Sequence, residues 1–118
     1  MSLTPNRANL ASVRRVVVCR HLNQNKTTKE YQLSEKSYNW RLSTHTLDSR
    51  GQVFTLPEVP IGQIILVKTA YGLKSVVVVK NMQVTGLVAR KVARALRRVV
   101  TVTDQKLSDL APELLAVL

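Results

Sequence analysis

Cysteine, glycine and acidic residues are scarce in this sequence. Its 118 residues include one cysteine, four glycines and seven aspartates and glutamates. A single cysteine cannot form an internal disulfide, and no set of cysteines and histidines has the spacing of a zinc site. Four scattered glycines provide no phosphate-binding loop. These absences exclude a disulfide-stabilised scaffold, a zinc finger and a P-loop protein.

Residues suited to catalysis are equally few. His21 and His45 have no serine, cysteine or aspartate near them in the pattern of a relay, and no acids recur at a spacing that would pair carboxylates. Cys19 lies in the apolar run VVVC, which is typical of a buried, unreactive thiol. We therefore expect no enzyme, no catalytic residue, no metal site, no cofactor and no small-molecule substrate.

Long apolar runs are also missing. No stretch is long enough to span a bilayer, and the N-terminus lacks the apolar core of a secretion signal. We expect a soluble product that stays in the compartment that makes it, without a membrane partner.

Positive charge is abundant. Eighteen lysines and arginines against seven acids give a net charge of +11. Because such a charge repels itself, a polyanionic partner is the natural expectation, with RNA or DNA first and an acidic membrane second. A basic protein without a partner is the weaker interpretation.

The first two-thirds of the chain read as strands. After an irregular arm at residues 1–11, alternating and β-branched segments predict strands through residues 12–82. Turns are predicted at residues 23–28, at 48–51 with Gly51 in the left-handed conformation, and at Tyr71-Gly72. The proline-rich segment PEVPIG (57–62) must leave the sheet as a loop.

The last third reads as two helices over residues 86–118. In LVARKVARALRRVV (87–100) the apolar residues fall on one helical side and the cations on the other. KLSDLAPELLAVL reads as a final short helix with Pro112 near its first turn. One domain over residues 1–118 follows, of class α+β, with one antiparallel sheet and its helices on one face. The cations expected to point away from the sheet are Arg90, Lys91, Arg94, Arg97 and Arg98.

One segment resembles a known family. The run VCRHLNQNKTTKEYQLSEKSYNWRLSTHT, with Leu22-Asn23-Gln24 entering a turn and the pair Trp40-Arg41 near its end, is similar to the coat proteins of single-stranded RNA bacteriophages (leviviruses). The resemblance covers about thirty residues. It implies an N-terminal hairpin, a sheet and two C-terminal helices that clasp a partner in an intertwined homodimer.

The resemblance also implies a function. Coat dimers of this family form an icosahedral shell and bind single-stranded genomic RNA on the inner sheet face, including a hairpin whose binding represses translation. This chain would then be a capsid protein of the virion, made in the cytoplasm of a bacterial host. Strand alternation nominates the RNA-binding residues on that face, with Lys74 and Lys80 expected on the same side: Arg41, Ser43, His45, Lys68, Lys74 and Lys80.

Two alternatives stay open. The chain could be a small basic nucleic-acid-binding regulator that uses the Arg90–Arg98 helix directly. It could also be a basic protein of the membrane surface, because the same helix is amphipathic. Tyr71 is a further candidate, for stacking on an unpaired base.

Overall fold

The computed structural model describes residues 14–118, and five strands account for about half of them. The predicted arm at residues 1–11 lies outside the described residues. Helix α1 (Gly86–Ala95) precedes the last strand, and the chain ends in one helical turn, α2 (Leu107–Leu110), and a 3-10 helix (Pro112–Val117). The strands are β1 (Arg14–Gln24), β2 (Tyr31–Leu42), β3 (Gln63–Thr69), β4 (Gly72–Val84) and β5 (Val99–Lys106).

The expected pair of C-terminal helices is wrong. Helix α1 ends at Ala95, Leu96 turns extended with ψ 138°, and the chain continues as β5. Five consecutive β-branched residues, Val99–Thr103, explain the change, because such side chains favour extended backbone. Pro112 then separates α2 from the 3-10 helix, since the residue before a proline is driven out of helical geometry. The described chain therefore lacks the two helices that were expected to clasp a partner in an intertwined dimer.

The sheet is antiparallel throughout and curls until its outer strands meet. Its strand order is β2-β1-β4-β3-β5. Beyond the ladder, Arg41 at the end of β2 forms a parallel bridge with Arg98, and Leu47 forms another with Thr101. The Arg41 backbone N–H donates to the Arg97 carbonyl over 3.0 Å. These contacts join β2 to β5 at one end and enclose a concave inner face.

The inner face carries the main hydrophobic core. Alternate residues of all five strands pack there against Phe54 and Val59, which lie in the loop between β2 and β3. The outer face has a second, smaller cluster, in which Leu107 and Ala111 cover Ile64 and Val77. The short C-terminal helices therefore seal the outside of the sheet. Strand residues of the inner core are Val17, Cys19, Trp40, Leu42, Ile65, Val67, Val76, Val78, Val99 and Val102.

A β-bulge in β4 reverses the direction of its side chains. Val18 pairs with Lys80 while the next residue, Cys19, pairs with Val78, so Val79 is an extra residue. Lys74 keeps the inward direction of Val76 and Val78, whereas Lys80 faces outward. The expectation that Lys74 and Lys80 share a side is wrong for this reason.

The predicted turns and the loop are confirmed. Gly51 and Gly72 adopt positive φ of 80° and 100°, where a side chain would be strained. The predicted strand QVFTL shrinks to one bridge between Leu47 and Val53. The PEVPIG segment leaves the sheet. Its Val59 is fully buried, and the single side-chain amide of Asn81 accepts from the Val59 N–H and donates to the Val59 carbonyl. Among the described residues, no helix is long and apolar enough to cross a membrane.

Candidate nucleic-acid interface

A groove opens at the end of the curled sheet where the β1–β2 and β3–β4 turns lie. One part of it has a volume of about 670 Å³. The residues that line this part come from β1, β2, the end of β3, the start of β4, the turn between β3 and β4, and the chain around the end of α1. We call this part of the groove the aromatic lobe; its side chains include His21, Asn23, Tyr38, Trp40, Lys68, Tyr71, Lys74 and Arg97.

The His21 ring packs edge to face against two other rings in the aromatic lobe. His21 lies 5.3 Å from the Tyr38 ring and 5.6 Å from the Trp40 ring, with interplanar angles of 73° and 79°. Trp40 is 5% exposed, and its indole N–H donates to the Lys68 carbonyl over 3.2 Å, which fixes the ring in the core. Tyr38 is 45% exposed and Tyr71 is 89% exposed. The buried, hydrogen-bonded Trp40 ring therefore forms the floor of the lobe, and two tyrosine rings are accessible to a ligand.

The position of these rings follows from strand alternation. Tyr38 precedes Trp40 by two residues on β2, and His21 follows Cys19 by two on β1. Each therefore continues the inward-facing row of a core residue past the point where the core ends. The mouth of the sheet is lined by the same face that forms its interior.

A second recess joins the first and is dominated by arginine. It has a volume of about 520 Å³ and shares Lys68, Leu96 and Arg97 with the aromatic lobe. We call it the arginine lobe and refer to the two lobes together as the groove. Its remaining lining residues are Arg41, Ala93, Arg94 and Arg98.

The chain after α1 brings the helix cations to the sheet. The Arg41 guanidinium donates from Nε to the Leu96 carbonyl over 3.0 Å, while its backbone N–H binds the Arg97 carbonyl. These two bonds hold residues 96–98 against the end of β2. The predicted separation, with sheet cations on one side and helix cations on the other, is wrong for Arg94, Arg97 and Arg98 because they line the same groove as Arg41 and Lys68.

The groove is strongly electropositive. Among residues 14–118, no aspartate or glutamate lines either lobe. Partial burial and, second, the nearby Lys74 charge lower the pKa of His21 below its usual value. This lowering favours the neutral imidazole. Cations without acids around them give a site for a polyanion.

The groove lies entirely within a segment that matches a known protein family. Residues 12–105 match a family model described as a family of unknown function, DUF5839. The chain belongs to the DUF5839 family. No curated protein and no solved structure matches the chain. In this DUF5839 protein the matched segment includes β1–β4, α1 and nearly all of β5, so it holds every lining residue of both lobes.

Three of the six predicted RNA-binding residues come together in the groove of the DUF5839 protein, namely Arg41, Lys68 and Lys74. The other three lie elsewhere. Ser43 stabilises the turn after β2, where its hydroxyl accepts from the His45 N–H over 3.0 Å. His45 is exposed on that turn, and Lys80 faces outward from β4.

Sequence reasoning missed His21 and Tyr38 as parts of the site. The signal for both was present, because each is two residues from a buried member of its own strand, but alternation alone does not show where the core stops. Tyr71, which the sequence nominated for stacking, does line the groove.

Metal binding has no support in the described part of the chain. No three histidine, cysteine, aspartate or glutamate side chains there lie close enough together to hold a metal ion. The groove offers cations that can neutralise phosphates and tyrosine rings that can stack.

Proposed function

We propose that this protein binds single-stranded RNA in the groove. The observation that carries the proposal is the meeting of six cations and two exposed tyrosines in one concave surface, which no acid among residues 14–118 lines. The cations neutralise phosphates, and the tyrosine rings stack on bases. The six cations are Arg41, Lys68, Lys74, Arg94, Arg97 and Arg98.

Unpaired RNA fits this surface better than a duplex. Stacking on Tyr38 or Tyr71 requires a base whose face is free, and bases inside a helix are already stacked on one another. A duplex would offer the groove only its phosphates. The protein should therefore prefer an unstructured strand to a fully paired one of the same length.

The proposal combines two of the expectations drawn from the sequence. It keeps the RNA partner and part of the sheet surface implied by the resemblance to phage coat proteins. It also uses the last part of the Arg90–Arg98 segment, as the regulator hypothesis did. Assembly into a virion shell stays a prediction from the resemblance alone, because the described fold lacks the two helices on which the coat architecture depends.

The test compares two double variants with equal changes in charge. Arg94→Glu with Arg97→Glu reverses two groove cations, whereas Arg90→Glu with Lys91→Glu reverses two exposed cations of α1 that line neither lobe. Binding of a fluorescein-labelled oligouridine is measured by anisotropy. We expect the first variant to lose at least about tenfold in affinity and the second to change by less than about threefold.

Three results would count against the proposal. They are equal losses in the two variants, binding that is as tight to a paired RNA as to an unpaired one, and no binding by the wild-type protein at low salt. Sizing the purified protein in the same experiment tests the shell. Closed particles with nuclease-resistant RNA would support it, and a small species that binds oligouridine would support a binding module.

A further inference from the structure

The two lobes differ in chemistry and share a boundary. The aromatic lobe combines ring faces with the polar edges of His21 and Asn23, whereas the arginine lobe presents guanidinium groups. Lys68, Leu96 and Arg97 line both. We infer that the groove takes one nucleotide unit, with its nucleobase in the aromatic lobe and its 5′-phosphates in the arginine lobe. This inference rests on the proposed function and specifies what the site recognises.

The aromatic lobe is large enough for a nucleobase and has groups that can bind one. Its volume of about 670 Å³ is within the range of small-molecule sites. Tyr71 is nearly fully exposed beside the β3–β4 turn and offers a ring face. The His21 imidazole and the Asn23 amide offer hydrogen-bonding groups to the edge of a base. The buried Trp40 closes the bottom of the lobe.

The arginine lobe suits more than one phosphate. Arg41 is held in place through its Nε bond to the Leu96 carbonyl, which leaves its two terminal amino groups to bind a ligand. Arg94, Arg97 and Arg98 add planar groups that bind phosphate oxygens in pairs. Because Arg97 lines both lobes, a phosphate attached to a base in one lobe enters the other directly.

The same chemistry has two sources, a free nucleoside 5′-triphosphate and the phosphorylated 5′ end of an RNA strand. Both present an unpaired base followed by phosphates. The experiment includes an arm for each.

Fluorescence of Trp40 provides the measurement. It is the single tryptophan of the chain and lies in the aromatic lobe, so its emission reports on a base that binds there. ATP, AMP, adenosine and inorganic tripolyphosphate are titrated into the full chain. We expect ATP to change the emission and to bind at least about tenfold more tightly than adenosine, because adenosine leaves the arginine lobe empty. Tripolyphosphate should displace ATP while leaving the emission near that of the free protein.

Variants assign each lobe. Tyr71→Leu should weaken ATP binding by roughly tenfold but leave tripolyphosphate binding unchanged, since it removes a stacking ring and no charge. Arg97→Gln with Arg98→Gln should weaken both ligands. Lys80→Gln, which removes a cation on the outer face, is the control and should affect neither. Far-ultraviolet circular dichroism and thermal unfolding of each variant show that it is folded.

The strand arm compares two six-residue RNAs of one sequence, with a 5′-triphosphate or a 5′-hydroxyl. If the triphosphorylated strand binds more tightly, the site recognises an RNA end. If the protein binds ATP and binds the two strands with equal affinity, the ligand of the two lobes is a free nucleotide. If oligouridine binds but millimolar ATP neither alters Trp40 emission nor competes, the inference is overturned while RNA binding stands. If neither oligouridine nor ATP binds, both are overturned.

Discussion

Lys74 and Lys80 carry the same charge on the same strand but face opposite sides of the sheet, because Val79 is a bulge residue between them. Their charge-reversal variants are therefore a matched pair. Lys74→Glu places a carboxylate in the aromatic lobe and should lower oligouridine affinity roughly tenfold. Lys80→Glu changes the net charge equally and should lower it less than about twofold. Equal losses in anisotropy titrations would show that overall charge, and not the groove, attracts RNA.

His21 gives the site a pH dependence whose direction is fixed. Its pKa is lowered in the folded, unliganded protein by partial burial and by Lys74. RNA phosphates nearby favour the protonated imidazole, so binding should take up a proton and affinity should rise as the pH falls from 7.5 to 5.5. His21→Asn should flatten this dependence, and His45→Asn, at an exposed turn outside the groove, should not.

The same shift has the opposite consequence for stability. A lowered folded-state pKa means that the unfolded chain binds the proton more readily. The contribution of His21 is therefore fully present above the ordinary histidine pKa and is lost as the pH falls from there through the lowered value. Urea unfolding measures the free energy of unfolding of the wild-type protein and of His21→Asn across this pH range. The difference between the two free energies should narrow or reverse as the pH falls. A parallel pH dependence in both proteins would contradict the assignment.

Cys19 should be unreactive while the protein is folded. The thiol is fully buried in the inner core, and burial raises its pKa to about 12. Thiolate, which is the reactive form, is then nearly absent at pH 8. Iodoacetamide should leave the native protein unmodified over hours and alkylate it within minutes in guanidinium chloride, as measured by intact mass. Rapid labelling of the native protein would show that β1 opens far more often than its burial predicts.

Among the elements, the loop between Leu42 and Gln63 depends on two side chains from the sheet. The Asn81 side chain accepts from the Val59 N–H over 2.8 Å and donates to the Val59 carbonyl over 2.7 Å. Arg15 donates to the Leu56 and Phe54 carbonyls and lies over the Phe54 ring. These contacts hold two core residues of the loop, Phe54 and Val59, against the sheet.

Removing the Asn81 amide should destabilise the fold. Asn81→Leu leaves the N–H and carbonyl of a fully buried Val59 without their partners, at a cost of about 2–4 kcal/mol in the free energy of unfolding. Gln83→Leu, on an exposed position of the same strand, is the control and should cost less than about 0.5 kcal/mol. Urea denaturation measures both. If Asn81→Leu leaves the free energy of unfolding unchanged, the loop does not depend on the two hydrogen bonds between Asn81 and Val59.

Element by element, local signals were sufficient for the hairpins and insufficient for the C-terminal third. The β1–β2 and β3–β4 pairs follow from alternation and from turn residues such as Gly72. Residues 87–100 have apolar residues at helical spacing, but Val99 owes its burial to pairing with Val67 of β3, which no local pattern reveals. Apolar residues at helical spacing that continue into a β-branched segment are compatible with a helix or with a strand. Pairing with a distant strand decides between the two.

The candidate site shows the same division. Arg41, Lys68 and Lys74 could be nominated from strand alternation, since each lies on a strand that the sequence predicts. Their meeting with Arg94 and Arg97 depends on how β2 closes onto the segment after α1, which is a long-range contact. The inward direction of Lys74 relative to Lys80 depends on a bulge, and a bulge has no reliable sequence signature.

For the whole molecule, the charge is distributed unevenly. The net charge is +11, yet the seven acids all lie outside the groove, mostly in turns and in the C-terminal segment. Charge dispersed over a surface gives weak attraction to any polyanion, whereas charge gathered in a concave surface gives a defined number of phosphate contacts. The number of contacts can be measured, and it separates these two cases.

The dependence of RNA affinity on salt counts those contacts. For single strands the logarithm of the binding constant falls with the logarithm of salt concentration by about 0.7 for each phosphate neutralised, so six groove cations predict a slope of about −4. Arg94→Gln with Arg97→Gln should reduce the magnitude of the slope by about 1.4, because two contacts are lost. Tyr71→Leu should weaken binding at every salt concentration and leave the slope unchanged, since stacking releases no counterions. If the arginine variant keeps the wild-type slope, or the tyrosine variant changes it, phosphates and bases do not divide between the two lobes as their chemistry predicts.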